Sequence, residues 1–164
     1  VVNDWVNRDE PCGFKLWQAV SGHPNPIFPV FVIGDTPGLS TPAKNIDELV
    51  YGYNMAEVFL NTSQVSPVPT ALMEAMSCGL PVVSTNNCMI PEVVQHGYNG
   101  FLSNDPAELR QFCNDLLSDK DMRKEIGDNA RKTIVDKFPI EKFSSNWSHL
   151  FNQVVNYKGQ KCQN

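Results

Sequence analysis

The residues best suited to chemistry lie in Pro69-Thr70-Ala71-Leu72-Met73-Glu74. With Pro69 in a first helical position, where its missing N–H costs nothing, the N–H groups of Thr70, Ala71 and Leu72 have no intrahelical acceptor. They point outward at the positive end of the helix, an arrangement that attracts anions. Thr70 and Glu74 are four residues apart and share a face. A donor cluster with a carboxylate one turn behind can hold a phosphate and a sugar hydroxyl together. The hydroxyl-to-carboxylate bond would contribute about 1.5–3 kcal/mol. An ordinary amphipathic helix with a solvated glutamate has the same spacing, so the pattern alone leaves both readings open.

The flanking residues predict how this helix is held. Glu57-Val58-Phe59-Leu60-Asn61 is an apolar run of strand length, and Pro67 and Pro69 end any strand. The helix would run through Met76 and stop at Gly79, a suitable C′ residue, with Pro81 just beyond. Pro81-Val82-Val83-Ser84-Thr85 then reads as a short strand of a buried parallel sheet. The unit is strand, loop, helix, tight stop, strand.

The same stretch, followed by Ile90-Pro91-Glu92-Val93-Val94 and Gly97-Tyr98-Asn99-Gly100-Phe101-Leu102, resembles the donor-binding half of the group 1 glycosyltransferases. These are retaining enzymes of GT-B architecture, and the match runs from about Phe59 to Leu102. The resemblance implies a nucleoside diphosphate sugar as donor and transfer to an acceptor hydroxyl, with no cofactor and no metal. It carries Glu74 over as the residue that holds the ribose. It carries Pro69, Thr70, Ala71 and Leu72 over as the helix start facing the diphosphate. Arg8 matches an arginine that neutralises the diphosphate, and Gly34-Asp35 falls where the family turns near the donor base. Three places depart from the family. Cys12-Gly13 stands where a Lys-Gly pair is expected, with Lys15 close enough to substitute. Ser66 stands where the first of two spaced glutamates would contact the donor sugar. Asn86-Asn87-Cys88 replaces a Gly-Gly turn, and Glu92 matches a structural glutamate. Arg8 and Ser66 are accordingly the candidate catalytic residues. Arg8, Gly34, Ser66, Pro69, Thr70, Ala71, Leu72 and Glu74 are the candidate donor-binding set.

The rest of the chain frames this reading. A chain of 164 residues can bury a sizeable core, and a net charge of −5 argues against a broad nucleic-acid surface. No apolar run reaches membrane-spanning length. Five cysteines with no Cys-x-x-Cys suit a reducing compartment, so a cytoplasmic location is expected. His23, His96 and His149 are scattered, and no Gly-x-Gly-x-x-Gly follows a strand, which disfavours a dehydrogenase. The start lacks methionine, and the acceptor half that precedes this domain in GT-B enzymes is absent, so a fragment is expected.

In chain order, Val1–Val6 is expected as a first strand, Arg8–Gly13 as a turn, Phe14–Ser21 as a helix and Pro29–Ile33 as a strand. Asn45 caps a helix running to about Met55. Later helices are expected from the Ser103–Ala107 region through Leu117 and from Asp119 onward. Phe143, Trp147, Leu150, Phe151 and Val154 form the stripe of a terminal amphipathic helix over about 140–156. That stripe would dock on the domain's own sheet or pair with a second copy in a homodimer. The whole predicts one α/β domain over residues 1–157, a doubly wound, Rossmann-like parallel sheet, and a polar tail over 158–164. Ligands in such sheets bind beyond the carboxyl ends of the strands, where Arg8, Gly34, Ser66 and Thr70 are expected to converge. The rival reading is a non-catalytic nucleotide-sugar-binding or scaffold domain that kept the fold and lost the chemistry.

Overall fold

A computed structural model describes residues 4–161, with side chains through Tyr157. Asp9–Cys12 (α1) and Phe14–Ser21 (α2) are followed by a long irregular segment and Ile46–Met55 (α3). The central unit is Phe59–Asn61 (β1), Thr70–Ser77 (α4), Val82–Ser84 (β2), Ile90–Val93 (α5) and Gly100–Leu102 (β3). Pro106–Ser118 (α6), Lys120–Lys137 (α7) and Ile140–Lys161 (α8) complete the chain. The strands form one parallel sheet in the order β1-β2-β3, with Leu60 opposite Val83 and Val83 opposite Phe101.

The sheet is covered on both faces, as the alternation of side chains along a strand requires. Val82 joins Tyr53, Leu72, Ala75, Met76, Ile90 and Ala130 in one buried cluster. Its neighbour Val83 joins Val20, Leu109, Cys113, Leu116 and Ile126 in the other. α3, α4 and α5 therefore serve one face, α2 and α6 the opposite one, and α7 contributes to both. Asn45, Asp105 and Asp119 cap α3, α6 and α7 by accepting from backbone N–H groups at each start.

Two expected strands are not formed. Residues 1–3 of the Val1–Val6 strand lie outside the described residues, and Asp4 to Val6 is turn. Pro29–Ile33 is not a strand either, because only Ile33 makes a bridge, to Thr41. The apolar pattern is present there, but a strand exists only with a partner, and no described residue pairs with the outer edge of β1. An apolar cavity of about 450 Å³ lies along that edge, lined by Trp5, Phe28, Phe31, Tyr53, Leu60 and Leu117 among others. The expected Arg8–Gly13 turn contains the short helix α1. α8 continues past the expected end at about residue 156 to Lys161.

The α8 stripe does not dock on the sheet. Phe143, Trp147, Leu150, Phe151 and Val154 are 45–60% exposed. Of the two arrangements the sequence allowed for this helix, packing on its own domain is thus removed.

Candidate functional site at the carboxyl ends of the strands

Each strand is apolar along its length and polar where it ends. β1 runs into Asn61 and Thr62, β2 into Ser84 and Thr85, and β3 into Ser103, all of them buried. Burying these groups would be costly unless each found a partner, and each has one. Asn61 Nδ2 donates to Ser84 Oγ at 2.8 Å, and Ser84 Oγ donates to the Thr85 carbonyl at 3.1 Å. Thr85 Oγ1 donates to the Ser63 carbonyl and so fixes the first residues of the loop between β1 and α4. Met89 N–H donates to the Pro67 carbonyl at 3.0 Å, tying the loop after β2 to the same segment.

α4 begins one residue later than expected. Pro69 is its N-cap, with extended backbone, and Thr70 is the first helical residue. The number of free amides is also corrected. Leu72 N–H donates to the Pro69 carbonyl at 3.0 Å, so Leu72 offers no free donor, and its side chain is fully buried. The Thr70 and Ala71 N–H groups find no acceptor among the described residues. They remain at the positive end of an eight-residue helix. Glu74 follows one turn later and is half-buried. Its Oε2 accepts from Tyr53 Oη at 2.8 Å.

Arg8 precedes α1, which ends at Gly13 in the left-handed region with φ +69°. A β-carbon on Gly13 would stand 1.9 Å from the Thr62 carbonyl oxygen, so only glycine allows this approach. Around it, the Pro11 carbonyl accepts from Gln64 N–H at 2.9 Å and the Cys12 carbonyl accepts from Thr62 Oγ1 at 3.3 Å. The α1–α2 corner is therefore bound to the loop that carries Ser66. The Arg8 side chain is exposed and has no ion-pair or hydrogen-bond partner among the described residues. Lys15, which is close enough to substitute for the missing lysine, pairs its ammonium with Asp9 at 3.1 Å. The Lys15 N–H and side chain bond the Asp9 carboxyl and hold it below the usual carboxylate range.

Gly34 is buried and donates its N–H to the Thr41 carbonyl at 3.2 Å. Asp35 and Thr36 beyond it accept from the N–H groups of Asp4 and Trp5, and the Asp4 carbonyl accepts from Arg8 N–H. One hydrogen-bonded chain thus links the Gly34 turn, Arg8, the α1–α2 corner and the Ser66 loop. None of the candidate donor-binding residues lines the apolar cavity beside β1, although Tyr53, which bonds Glu74, does. Sequence reasoning missed Asn61, Ser84, Thr85 and Tyr53. The first three carried a readable signal, a polar residue closing each apolar run. Tyr53 carried none, because its partner is twenty-one positions away.

Known proteins bear on this geometry. The sequence profile of the glycosyl transferases group 1 matches residues 40–133. The chain is 31% identical over 113 residues to N-acetyl-alpha-D-glucosaminyl L-malate synthase of Bacillus anthracis, covering 68% of this chain and 29% of that protein. It is 33% identical over 105 residues to spore coat protein SA of Bacillus subtilis, covering 62% and 28%. It therefore spans about three tenths of the length of these curated relatives. Among solved structures, the Anabaena HepE protein in complex with UDP-glucose superposes with a TM-score of 0.62 at 25% identity, over 73% of this chain and 32% of that one. The C-terminal domain of a group 1 glycosyl transferase from Francisella tularensis shares the fold, with a TM-score of 0.65 at 17% identity over 78% and 80%. The parallel sheet, its two helical layers and the motif-bearing α4 unit are those of GT-B enzymes, and the chain belongs to the group 1 glycosyltransferases.

Proposed function

We propose that this chain is the donor-binding domain of a retaining glycosyltransferase that uses a nucleoside diphosphate sugar. The observation that carries the reading is the start of α4. Two unpaired amides and a carboxylate one turn behind stand at the polar ends of the strands. Arg8 and the Thr70 and Ala71 N–H groups would stabilise charge developing on the leaving diphosphate. Pro69 sets the entry of the helix, and Gly34 lies on the turn facing the base. Glu74 would accept from the ribose hydroxyls. Ser66 replaces a carboxylate, and its hydroxyl would hold the sugar with about 1 kcal/mol. Transfer is proposed to be metal-independent, as the resemblance to the group 1 glycosyltransferases implies. The acceptor would bear a hydroxyl on a carbohydrate, lipid or other molecule, and the exposed α8 stripe would pair with a second copy. Four free cysteines among the described residues support a reducing, cytoplasmic setting.

Calorimetry with UDP, GDP and ADP tests the donor site. Arg8→Ala and Glu74→Ala should each weaken binding by about tenfold or more, from the loss of a charge-assisted bond. Unchanged affinity in both variants would remove the assignment.

A second reading, binding without turnover, is favoured by Ser66 and Cys12, where the family's carboxylate and lysine are missing. It predicts that the 164-residue chain transfers no sugar at an ordinary enzymatic rate, about 1–10³ per second. Product at such a rate would refute it, whereas slow donor hydrolysis would not.

A further inference from the structure

Tyr53 sits in the last turn of α3, outside the loops that follow the strands, and its hydroxyl reaches Glu74. Its ring is buried with Leu72 and Met76 and packs against Phe59 with centroids 6.1 Å apart. Only the hydroxyl leaves the core. It donates to Glu74 Oε2 at 2.8 Å and lies 3.4 Å from the Ala71 carbonyl oxygen. Burial, and then the hydrogen bond to Glu74, push the phenol well above its ordinary range, so it is protonated at any working pH. A protonated phenol facing a carboxylate is a donor.

The other oxygen of Glu74 is in the opposite condition. Oε1 takes no hydrogen bond from any described residue. No buried side-chain nitrogen or oxygen among the described residues lacks a partner, so this half-buried residue keeps Oε1 open to solvent. One oxygen is tied to the core and one faces water. A free glutamate has three rotatable bonds and loses that freedom when a ligand orders it. Here the freedom is already lost, which is preorganisation for binding.

We propose that Tyr53 is a positioning residue for the donor site: it anchors Oε2 of Glu74 so that Oε1 stands ready to accept from the ribose hydroxyls of a nucleoside diphosphate. The inference rests on the donor-site reading above and adds a residue on α3 to it. It also makes a specificity claim, because the anchored carboxylate distinguishes a ribose from a sugar lacking its hydroxyls.

The test is the affinity ratio of UDP to 2′,3′-dideoxy-UDP, measured by calorimetry. Wild type should prefer UDP by about tenfold or more, the effect of one hydrogen bond to a charged group. Tyr53→Phe keeps the ring in the core and removes the hydroxyl. It should weaken UDP binding by about three- to tenfold and leave dideoxy-UDP unchanged, so that the ratio collapses. A purely structural role would weaken both ligands alike, and that result, or an unchanged ratio, overturns the proposal. If Tyr53→Phe does not fold, 4-aminophenylalanine at position 53 restores a donor on the same ring. It should retain the wild-type ratio, and its loss there overturns the proposal. If UDP fails to bind wild type, the ratio is read with GDP or ADP. If no nucleotide binds, the donor-site reading itself falls and this role with it. If UDP and its dideoxy form bind wild type equally, nucleotide binding stands and only the Glu74 and Tyr53 roles fall.

Discussion

Cys113 lies in α6 between Leu109 and Leu116, buried in the cluster that also holds Val20 and Val83. Burial alone pushes its thiol up to about 12. The unfolded chain has no such environment, and its thiol titrates near about 8.5. The folded form therefore holds its proton while the unfolded form releases it. The stability contributed is fully present below about pH 8.5 and falls as pH rises towards the folded value of about 12. The slope from one such group is about 1.4 kcal/mol per pH unit. Cys78 and Tyr53 are raised as well, the first partly and the second strongly, both chiefly by burial. Urea unfolding of wild type and Cys113→Ala across this range separates them. The variant should be less stable at pH 7, because it leaves a small cavity, yet lose stability with pH more gently. Parallel curves for the two proteins would show that the thiol is not held protonated.

At the scale of elements, α4 and α7 meet at two glycines. Gly127 stands inside α7, where glycine costs about 1 kcal/mol relative to alanine. Its reason is a close approach, since a β-carbon there would lie 2.2 Å from the Gly79 carbonyl oxygen and 3.4 Å from Pro81 Cδ. Gly79 cannot easily move, because it turns the chain from α4 into β2 with φ +80°. Propensity and packing therefore oppose each other in Gly127→Ala. Overpacking costs about 1–3 kcal/mol, so the melting temperature should fall by about 2–4 °C for each kcal/mol of net loss. A rise in a thermal scan would mean that α7 shifts freely on α4. This junction also shows which features of the fold were legible in the sequence. Gly79 and Pro81 announced the stop of α4, Asn45 and Asp119 announced helix starts, and α2 has the expected bounds Phe14–Ser21. These signals are local, since a cap or a stop is made by neighbours in the chain. Pro29–Ile33 has as good an apolar run as Val82–Ser84, but strand formation is decided by a partner elsewhere, and only the second run has one. The site divides in the same way. The place of Thr70, Ala71 and Glu74 in the first turns of α4 was readable from spacing, whereas the Leu72 N–H is taken by an i→i−3 bond to the Pro69 carbonyl that spacing does not encode. The hydrogen bond from Tyr53 to Glu74 joins two helices across a strand and leaves no pattern in the sequence.

The whole molecule ends on an unsolved surface. None of the described helices is long and apolar enough to cross a membrane. α8 nevertheless presents Phe143, Trp147, Leu150, Phe151 and Val154 on one stripe, each at least 45% exposed. Among the described residues, the ring contacts of Trp147 are with Phe143 at 6.1 Å and Phe151 at 5.4 Å between centroids, both on its own helix. Burying each of these side chains fully would contribute about 1.5–3 kcal/mol, of which roughly half remains unrealised while the stripe faces water. The sheet's two faces are already covered by α2 to α7, so neither is open to the stripe. A straight helix is self-complementary by a two-fold axis, and pairing α8 with the α8 of a second copy satisfies both stripes at once. The 164-residue chain should therefore sediment as a dimer at micromolar concentration. Trp147→Asp, which puts a charge at the centre of the stripe, should sediment as a monomer. Because Trp147 makes no ring contact with the sheet, the dilute monomer of that variant should keep the melting temperature of the wild-type monomer. A wild-type chain that stays monomeric at high concentration would show that α8 does not pair with itself, and that some other surface must cover the stripe.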